Sequence, residues 1–445
     1  MGALVFDNRS ADATTPARTV ALDSLEAGIE AAHPRRVIRE SVSLDGDVLT
    51  IAGESYDLTD VDELVVLGGG NAAAHVAAAL EPIVGDRLAG GVVVTDDPTE
   101  TDRVTVHRGD HPVPSQRGVD GATAVREAAE AASESTLVLA VITGGASALL
   151  PAPTADISLD DLQATTNALL ESGATIHEIN AVRKHLSALK GGQLARIAAP
   201  ATVVSLIFSD VVGNDLSVIG SGPTVPDEST YADALTVLSA YDVTVPDAVK
   251  THLKRGANGD LAETPRAGDS IFERVSNHIL ADNFTALSAA SDVAESHGFT
   301  PLILSSSVRG EAREAAKSHV AVAEEVLATG NPLSAPAVLL AGGECTVTVR
   351  GDGEGGPSQE FCVSAALELD DERITVAAVD SDGIDGATDV AGAIVDTGTI
   401  TDRAAGARAL RENDVYPLLA EAGAHLHSGA TGTNVNDLRI VVVDA

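Results

Sequence analysis

An α/β protein with two domains is predicted from three features of the sequence. Short apolar runs rich in β-branched residues alternate with longer alanine-rich runs, which is typical of a parallel sheet flanked by helices. Polar, glycine-rich stretches follow several of the apolar runs, at the strand ends where such sheets bind ligands. The 445 residues, 44% of them hydrophobic, are enough for more than one buried core.

The apolar runs predict the strands and the alanine-rich runs predict the helices, because β-branched side chains favour strands and alanine favours helices. The predicted strands are Leu64–Leu67, Gly91–Val94, Leu137–Ile142, Thr202–Phe208, Pro301–Leu304, Ala337–Ala341, Ile374–Val379 and Leu438–Val443. The predicted helices are Ser24–Ala32, Ala72–Leu80, Gly118–Ala132, Leu159–Glu171, Ile176–Leu186, Tyr231–Ala240, Asn283–His297, Glu311–Ala328 and Ser358–Leu369.

A domain boundary is predicted in the stretch Arg255–Asp269, which is rich in Gly, Pro and polar residues. Such composition is typical of exposed linkers between domains. The prediction is a larger N-terminal domain, residues 1–260, and a smaller C-terminal domain, residues 270–445.

The chain is strongly acidic. It has 66 Asp and Glu against 28 Lys and Arg, a formal charge of −38, so nucleic acid is not an expected partner. Abundant acid with little lysine and few aromatics indicates a halophilic protein of a salt-rich cytoplasm, where ions screen the self-repulsion. An ordinary acidic enzyme is the alternative.

No feature of the sequence indicates export or a membrane. Cys345 and Cys362 form no CxxC pair and are too few for a disulfide framework, so we expect reduced, buried thiols. Residues 1–20 lack the apolar core of a signal peptide, and no uncharged apolar run is long enough to span a bilayer. A cytoplasmic protein without a membrane partner is therefore expected.

Two glycine loops follow predicted strands. The first glycine loop, Gly68, Gly69, Gly70 and Asn71, precedes a predicted helix, and helix N-terminal amides favour phosphate. The second glycine loop, Gly144, Gly145, Ala146 and Ser147, offers backbone and hydroxyl donors to an anion. We expect both loops to bind a phosphorylated cofactor.

The first glycine loop also has the loose dinucleotide-binding spacing Gly68-x-Gly70-x-x-Ala73. Asp96 or Asp97, after the next predicted strand, would then contact a ribose. This keeps a nicotinamide-dependent hydroxypyruvate reductase open as an alternative.

Two acids follow the buried strand Thr202–Phe208. Asp210 is the first candidate for a general base, because a carboxylate at a strand end can accept the proton of an attacking hydroxyl. Asp215 is a candidate for Mg²⁺. Ser221 and Gly222, in the Gly-Ser-Gly-Pro segment just beyond, are expected to contact the cofactor.

A second acidic loop, Asp380–Asp389, follows the strand Ile374–Val379. Asp382 and Asp385 lie in it, and carboxylates are ligands that Mg²⁺ prefers. The loop lacks the terminal bidentate Glu of an EF-hand, so Asp385 is a Mg²⁺ candidate and a calcium loop is rejected. Three cations, Arg183, Lys184 and Lys190, are candidates to bind a substrate carboxylate or a phosphate.

Five blocks in fixed order resemble the class II glycerate kinases, the ATP-dependent glycerate 2-kinases with a C-terminal MOFRL domain. They are Asp110–Pro114, Ile179–Ser187 with Lys190–Gly192, Ser209–Pro223, Asp382–Asp389 and Thr431–Asp437. The resemblance runs from about residue 20 to the C-terminus. It implies a Rossmann-like N-terminal parallel-sheet sandwich, a smaller C-terminal α/β domain and an active site in the interdomain cleft.

The resemblance also implies a reaction: ATP-dependent, Mg²⁺-dependent phosphorylation of the 2-hydroxyl of D-glycerate. Asp210 and Asp382 correspond to active-site acids of the family. The chain departs from the family where Asn71 and Pro357 stand in place of a Lys and an Arg. Arg183, Lys184, Lys190, Arg309 or Arg313 are candidates to supply the lost charge.

Three alternatives to a glycerate kinase stay open at this point. They are a kinase for another small hydroxy acid, the reductase, and a relative that binds its ligands without turnover. The sequence does not determine the oligomeric state and is compatible with a homo-oligomer.

Overall fold

The computed structural model describes residues 6–7, 9–154 and 156–445. They form two compact units. The central unit comprises Val37–Leu280, and the terminal unit comprises the chain up to Arg36 together with Ala281–Ala445. No helix among the described residues is both long enough and apolar enough to cross a membrane.

The strands are β1 (Val42–Asp45), β2 (Val48–Ile51), β3 (Glu54–Asp57), β4 (Glu63–Gly69), β5 (Leu88–Thr95), β6 (Val104–Arg108), β7 (Thr136–Ile142), β8 (Thr202–Phe208), β9 (Val275–Ala281), β10 (Thr300–Val308), β11 (Ala337–Gly343), β12 (Ile374–Asp380), β13 (Gly392–Val395), β14 (His425–Leu426) and β15 (Asp437–Val443). The helices are α1 (Arg9–Asp12), α2 (Pro16–Ala32), α3 (Pro34–Ser41), α4 (Ala73–Val84), α5 (Gln116–Glu130), α6 (Ala146–Leu149), α7 (Leu159–Glu171), α8 (Ile176–His185), α9 (Gln193–Ala198), α10 (Tyr231–Ala240), α11 (Asp247–Ala257), α12 (Asn283–Ser296), α13 (Ala312–Thr329), α14 (Pro357–Glu368), α15 (Arg403–Glu412) and α16 (Val415–Ala422).

The main sheet of the central unit has the order β6-β5-β4-β7-β8-β9. The neighbours from β6 to β8 are parallel. Numbered along the chain within this sheet, the order is the 3-2-1-4-5-6 of dinucleotide-binding doubly wound folds. The order reverses between β4 and β7, so the crevice outside the carboxyl ends of these two strands is where such a sheet binds its ligand.

The terminal unit has a mixed sheet of order β10-β11-β15-β12-β13-β14. Strand β15 is antiparallel to both of its neighbours, β11 and β12. Helix α2 packs on α12 and on β15. Its approach to α12 is close, because a Cβ added to Gly28 would lie 3.0 Å from the carbonyl oxygen of Ala286. The two ends of the chain therefore share one core.

This division differs from the predicted domains, residues 1–260 and 270–445, in two ways. The central unit continues to Leu280, and the first helices belong to the terminal unit. The linker composition placed the boundary about one strand too early, because β9 completes the edge of the central sheet. Nothing local in α2 indicates that its partner is α12, more than 250 residues further along the chain.

Every predicted strand and helix is present, with its ends shifted by at most a few residues except at α2, which begins at Pro16. The missed elements are mostly short, partly exposed or polar, as in the antiparallel meander β1-β2-β3. Edge strand β6 is mostly exposed or half-buried. Such segments carry a weak apolar pattern and are held by their sheet neighbours.

Candidate active site

Asp210 lies against the second glycine loop at the carboxyl end of the central sheet. It follows β8, and the loop follows the neighbouring strand β7. A Cβ added to Gly144 would lie 2.6 Å from Oδ2 of Asp210, so only glycine allows this approach. The amide of Gly145 hydrogen-bonds the same carboxylate. The structure thus brings together two of the predicted elements of the site.

Burial raises the pKa of the Asp210 carboxyl above its ordinary value. Hydrogen bonds from its own amide and from Gly145, and the nearby His111, oppose this rise without cancelling it. A raised pKa makes a carboxylate a better proton acceptor. Asp210 therefore has the electrostatic environment of a general base.

The first glycine loop is closed to a ligand's phosphate, contrary to the prediction for Gly68, Gly69, Gly70 and Asn71. The amide of Gly70 donates to the carbonyl of Val94, and that of Asn71 donates to the carbonyl of Gly144 at 2.8 Å. The glycines instead allow close packing: a Cβ on Gly68 would lie 1.9 Å from the carbonyl oxygen of Val141. Gly68 and Gly69 themselves belong to β4 and pair with both neighbouring strands.

The acids expected to contact a ribose are also engaged by the protein. Asp96 accepts a 3.0 Å hydrogen bond from Nδ2 of Asn71, and Asp97 pairs with His75 at 2.9 Å. Because both the loop amides and the acids are used internally, the dinucleotide fingerprint does not describe an open cofactor site here.

The second glycine loop remains open. Within the described residues, no protein acceptor pairs with the amides of Gly144 and Ser147. The loop follows Thr143, and its last two residues, Ala146 and Ser147, begin the short helix α6. Open amides beside glycines are suited to bind an anion. Of the two loops predicted to contact phosphate, this one keeps the required donors.

The side chain of Ser147 is connected to helix α8 by a chain of hydrogen bonds. Its hydroxyl lies 2.8 Å from that of Ser221, and Ser221 donates to Oδ1 of Asn180 at 3.0 Å. Gly222, by contrast, donates its amide to Ile219 and is structural. Asn180 was not predicted as a site residue, although its spacing from Lys184 placed it on the same face of a helix.

The three predicted cations divide into two groups. Lys184 forms a 3.1 Å ion pair with Asp227, with both side chains almost fully buried, so its charge is already neutralised. Lys190, also buried, donates to the carbonyl of Leu150 at 3.0 Å, and no described carboxylate pairs with it. Arg183 is half-buried, and no carboxylate of the described residues pairs with it. Lys184 is therefore structural, whereas Lys190 and Arg183 are available to a ligand.

The two predicted metal ligands, Asp385 and Asp215, also differ in how far the protein already uses their oxygens. Asp385 accepts backbone hydrogen bonds from Ser358 and Gln359, both at 2.9 Å, at the start of α14. It is therefore a helix cap, and burial raises its pKa to about 7. Asp215 is exposed; its Oδ1 accepts the amide of Ser217 at 2.8 Å, and its Oδ2 lies 3.9 Å from Nδ1 of His177. The described residues contain no group of three or more His, Cys, Asp or Glu able to hold a metal.

Asp382 lies in an acidic cluster within the terminal unit. Its Oδ1 accepts the amide of Ile384 at 2.8 Å, and its own amide donates to Asp380. Asp380 is the cross-strand partner of Asp437, and burial and the nearby acids raise its pKa well above the ordinary value. Asp437 in turn pairs with the fully buried Arg439. Asp382 is thus positioned by a turn of its own loop.

Known proteins resemble the chain over almost its whole length. A domain of unknown function, DUF4147, matches residues 20–254, and the MOFRL family matches residues 337–437. The glycerate 2-kinase of Pyrococcus horikoshii is 38% identical to this chain, with 96% of this chain and 97% of that protein covered. The chain belongs to the glycerate 2-kinase family. The D-glycerate 2-kinase of Thermotoga maritima is 36% identical, with coverage of 96% and 98%.

Structure supports the same membership of the glycerate 2-kinase family. The crystal structure of the glycerate kinase from Thermotoga maritima matches with a TM-score of 0.83 and covers 96% of this chain and 99% of that one. A protein named putative hydroxypyruvate reductase, from Agrobacterium vitis, is 40% identical over 85% of this chain and 87% of its own length. The family thus includes names from both of the enzyme classes considered for the sequence.

Pro357, one of the two departures from the resembled family, has a local explanation. It occupies the first turn of α14, where a fixed φ and a missing amide hydrogen suit a helix start. Asp385 accepts the next two amides. The residue therefore initiates a helix, and any charge that an arginine would supply must come from elsewhere.

Proposed function

We propose that this chain is an ATP-dependent kinase that phosphorylates the 2-hydroxyl of D-glycerate and yields 2-phosphoglycerate. The observation that carries the proposal is the half-buried Asp210 carboxylate, which is held against the open second glycine loop. This pairing lies on the carboxyl side of the sheet, at β7 and β8, next to the point where the strand order reverses. The names of the relatives support the same reaction.

In the proposed step, Asp210 accepts the proton of the 2-hydroxyl. The hydroxyl oxygen forms a bond to the γ-phosphorus as the bond from that phosphorus to the bridging oxygen breaks, and its electrons leave with ADP. The raised pKa of Asp210 favours this proton transfer. Such general-base assistance typically contributes about 10²- to 10⁴-fold in rate.

The open amides of Gly144 and Ser147 would bind phosphate oxygens. Arg183 and Lys190 would donate to the carboxylate of the substrate. Lys184 is not assigned this role, because Asp227 neutralises it. The first glycine loop would support the second through the hydrogen bond from Asn71 to Gly144.

Mg²⁺ fits the site only as a partner of the nucleotide. It commonly binds through one or two carboxylates together with phosphates and waters, and the exposed Asp215 can provide one such ligand. Asp385 does not fit, because backbone amides occupy its oxygens. When bound, the ion would neutralise charge on the transferring group.

We place this activity in a salt-rich cytoplasm. The formal charge of −38 would otherwise repel itself strongly, and concentrated salt screens that repulsion. Asp382 remains a candidate active-site acid, supported by its match to the family motif.

The test is ADP release by the purified protein in molar KCl with Mg-ATP, with and without D-glycerate. We expect glycerate-dependent ADP, 2-phosphoglycerate identified by ³¹P NMR, and a loss of roughly 10²-fold or more in Asp210→Asn. Gly398→Ala, which alters an exposed turn of the terminal unit, is the matched control. Folded protein that binds ATP without glycerate-dependent ADP would contradict the proposal.

The alternatives have their own readouts in the same preparation. Turnover with tartronate or erythronate but not D-glycerate would indicate a kinase for another hydroxy acid. Loss of NADH absorbance with hydroxypyruvate would indicate a reductase, against which the closed first glycine loop argues. Ligand binding without either reaction would indicate a non-catalytic relative.

A further inference from the structure

We propose that Asn180, Arg183 and Lys190 form a subsite for the carboxylate of a small α-hydroxy acid, and that Ser221 is the positioning residue of this subsite. The inference rests on the proposed function for the identity of the acid. It goes further by assigning a recognition role to an asparagine and a serine that lie outside the chemical step.

The hydrogen bonds around Asn180 set the direction of its amide. Ser221 donates to Oδ1 of Asn180, and this uses the only hydroxyl hydrogen of Ser221, so Ser147 must donate to Ser221. The amide NH₂ of Asn180 therefore points away from Ser221. Asn180 is only 3% exposed, and no described residue hydrogen-bonds its Nδ2. A buried donor without a partner is costly, and a bound anion would satisfy it.

The backbone around Ser221 is held in a conformation that serine rarely adopts. Gly220, Ser221 and Gly222 all have left-handed φ angles, of 57°, 63° and 64°. Such strain in a residue with a side chain persists only where the surroundings enforce it, and it concentrates at functional sites. Here the carbonyl of Ser221 accepts the amide of Gly191 at 3.0 Å. Through this hydrogen bond, the strained turn of residues 220–222 connects the segment that contains Lys190 with the hydroxyl that orients Asn180.

The strained turn also lies against the second glycine loop. A Cβ on Gly220 would be 3.0 Å from Cγ2 of Ile142 and 3.3 Å from the Cβ of Ala146. Ser147, the next residue of the loop, starts the hydrogen-bond chain to Asn180. The proposed subsite is thus connected through packed atoms to the loop that faces Asp210.

Two basic side chains complete the subsite, and neither pairs with a carboxylate among the residues that the structure describes. Arg183 lies three residues after Asn180 on α8, so the two side chains share a face. Lys190 is 6% exposed and contacts the carbonyl of Leu150, at the end of α6. Arg183 is close enough for its charge to lower the pKa of Lys190. Burial and this repulsion favour the neutral form of Lys190 when no ligand is bound, whereas an anion bound beside the two side chains would favour its charged form.

A carboxylate matches these donors better than a neutral group does. Its two oxygens can accept from an amide NH₂ and from two cationic groups at once. Glycerol has the hydroxyls of glycerate but no carboxylate, and should therefore not bind. Inorganic phosphate tests whether the subsite selects the phosphoryl group instead.

The test measures binding separately from turnover, by calorimetric titration of D-glycerate, glycerol and inorganic phosphate into the full chain in molar KCl. Asn180→Asp keeps the oxygen that accepts from Ser221 and replaces only the NH₂. We expect it to weaken D-glycerate binding by roughly 10- to 100-fold, the effect of losing one hydrogen bond to a charged group.

The matched control is Asn277→Asp. Asn277 accepts from Thr224 at 2.8 Å, and Thr224 accepts from Ser205 at 2.9 Å, so it ends a similar hydroxyl chain in the same unit. This variant adds the same charge outside the subsite and should bind D-glycerate like the wild type. Wild-type affinity in Asn180→Asp, or phosphate displacing D-glycerate with comparable affinity, would overturn the proposal.

Ser221→Gly provides a second variant that should fold, since glycine accepts the left-handed φ freely. It removes the hydroxyl that orients Asn180. We expect the KM for D-glycerate to rise by roughly 10-fold while the KM for ATP stays unchanged, whereas a merely structural role would change both. An unchanged KM for D-glycerate would contradict the positioning role.

Failure of the subsite and failure of the kinase proposal give different results. If the wild type binds D-glycerate through Asn180 but releases no ADP, the subsite stands and the kinase reaction is excluded. If ADP is released and Asn180→Asp has no effect on binding, the kinase reaction stands and the subsite is excluded.

Discussion

Replacing Lys190 by methionine should make the protein more stable and its substrate binding weaker. Burial, together with the charge of Arg183, lowers the pKa of Lys190 from 10.5 to about 7. Between these two values the unfolded chain binds the lysine proton and the folded chain does not. Folding therefore opposes protonation in this range, and the stability should rise with pH across it.

The magnitude follows from the size of this window. At about pH 8 the lysine is protonated in the unfolded chain and must lose its proton when the chain folds. The pH is then roughly 2.5 units below the pKa of the unfolded lysine, and ~1.4 kcal/mol per unit gives a cost to folding of about 3 kcal/mol. Lys190→Met removes this cost and keeps an unbranched side chain. It also removes the hydrogen bond to Leu150, a loss of about 1 kcal/mol. The net expected gain is about 2 kcal/mol at this pH.

The assay is urea unfolding followed by circular dichroism at constant KCl, at about pH 8 and about pH 10. We expect the advantage of Lys190→Met over the wild type to fall by ~1.4 kcal/mol per unit as the pH rises, and to vanish near pH 10. Lys250→Met, at an exposed lysine of the same unit, should change stability by less than about 0.5 kcal/mol. A Met variant that is less stable than the wild type at pH 8, or a difference independent of pH, would refute the reasoning.

Four further predictions concern the site and the charge. The raised pKa of Asp210 should move the acid limb of the kcat/KM profile above the pH of an ordinary aspartate, with activity falling as the base protonates; a limb near pH 4 would exclude Asp210 as the base. Because a raised acid pKa costs stability above that pKa, Asp210→Asn should also unfold at higher urea than the wild type near neutral pH, and an equal or lower midpoint would contradict the burial. Gly144→Ala should lower kcat by about 100-fold without unfolding the protein, because the added Cβ would displace the Asp210 carboxylate and small displacements of a catalytic group have effects of this size. Gly398→Ala is the control. Raising KCl from tenths of molar to molar should increase the free energy of unfolding, because the −38 charge is then screened; a flat dependence would count against a halophilic protein.

Local patterns were sufficient for most of the fold and for part of the site. A buried apolar run followed by polar residues marks the end of a strand. Strand β8 and the acid that follows it, Asp210, could therefore both be predicted from the sequence. The same holds for the second glycine loop after β7. The elements that were missed, such as β1 to β3 and α15, have a weak apolar pattern and depend on their neighbours.

The sequence by itself thus determined which segments form strands and helices, and which residue types follow the strands. It could do so because the periodicity of apolar residues and the residue types that form turns are properties of neighbouring residues. It could not distinguish the two glycine loops. Only the tertiary structure decided that Val94 and Gly144 accept the amides of the first loop and that Asp227 neutralises Lys184. It also decided that the NH₂ of Asn180 has no partner in the described part of the chain. Whether a buried polar group is open to a ligand depends on contacts with distant parts of the chain, and those contacts exist only after folding.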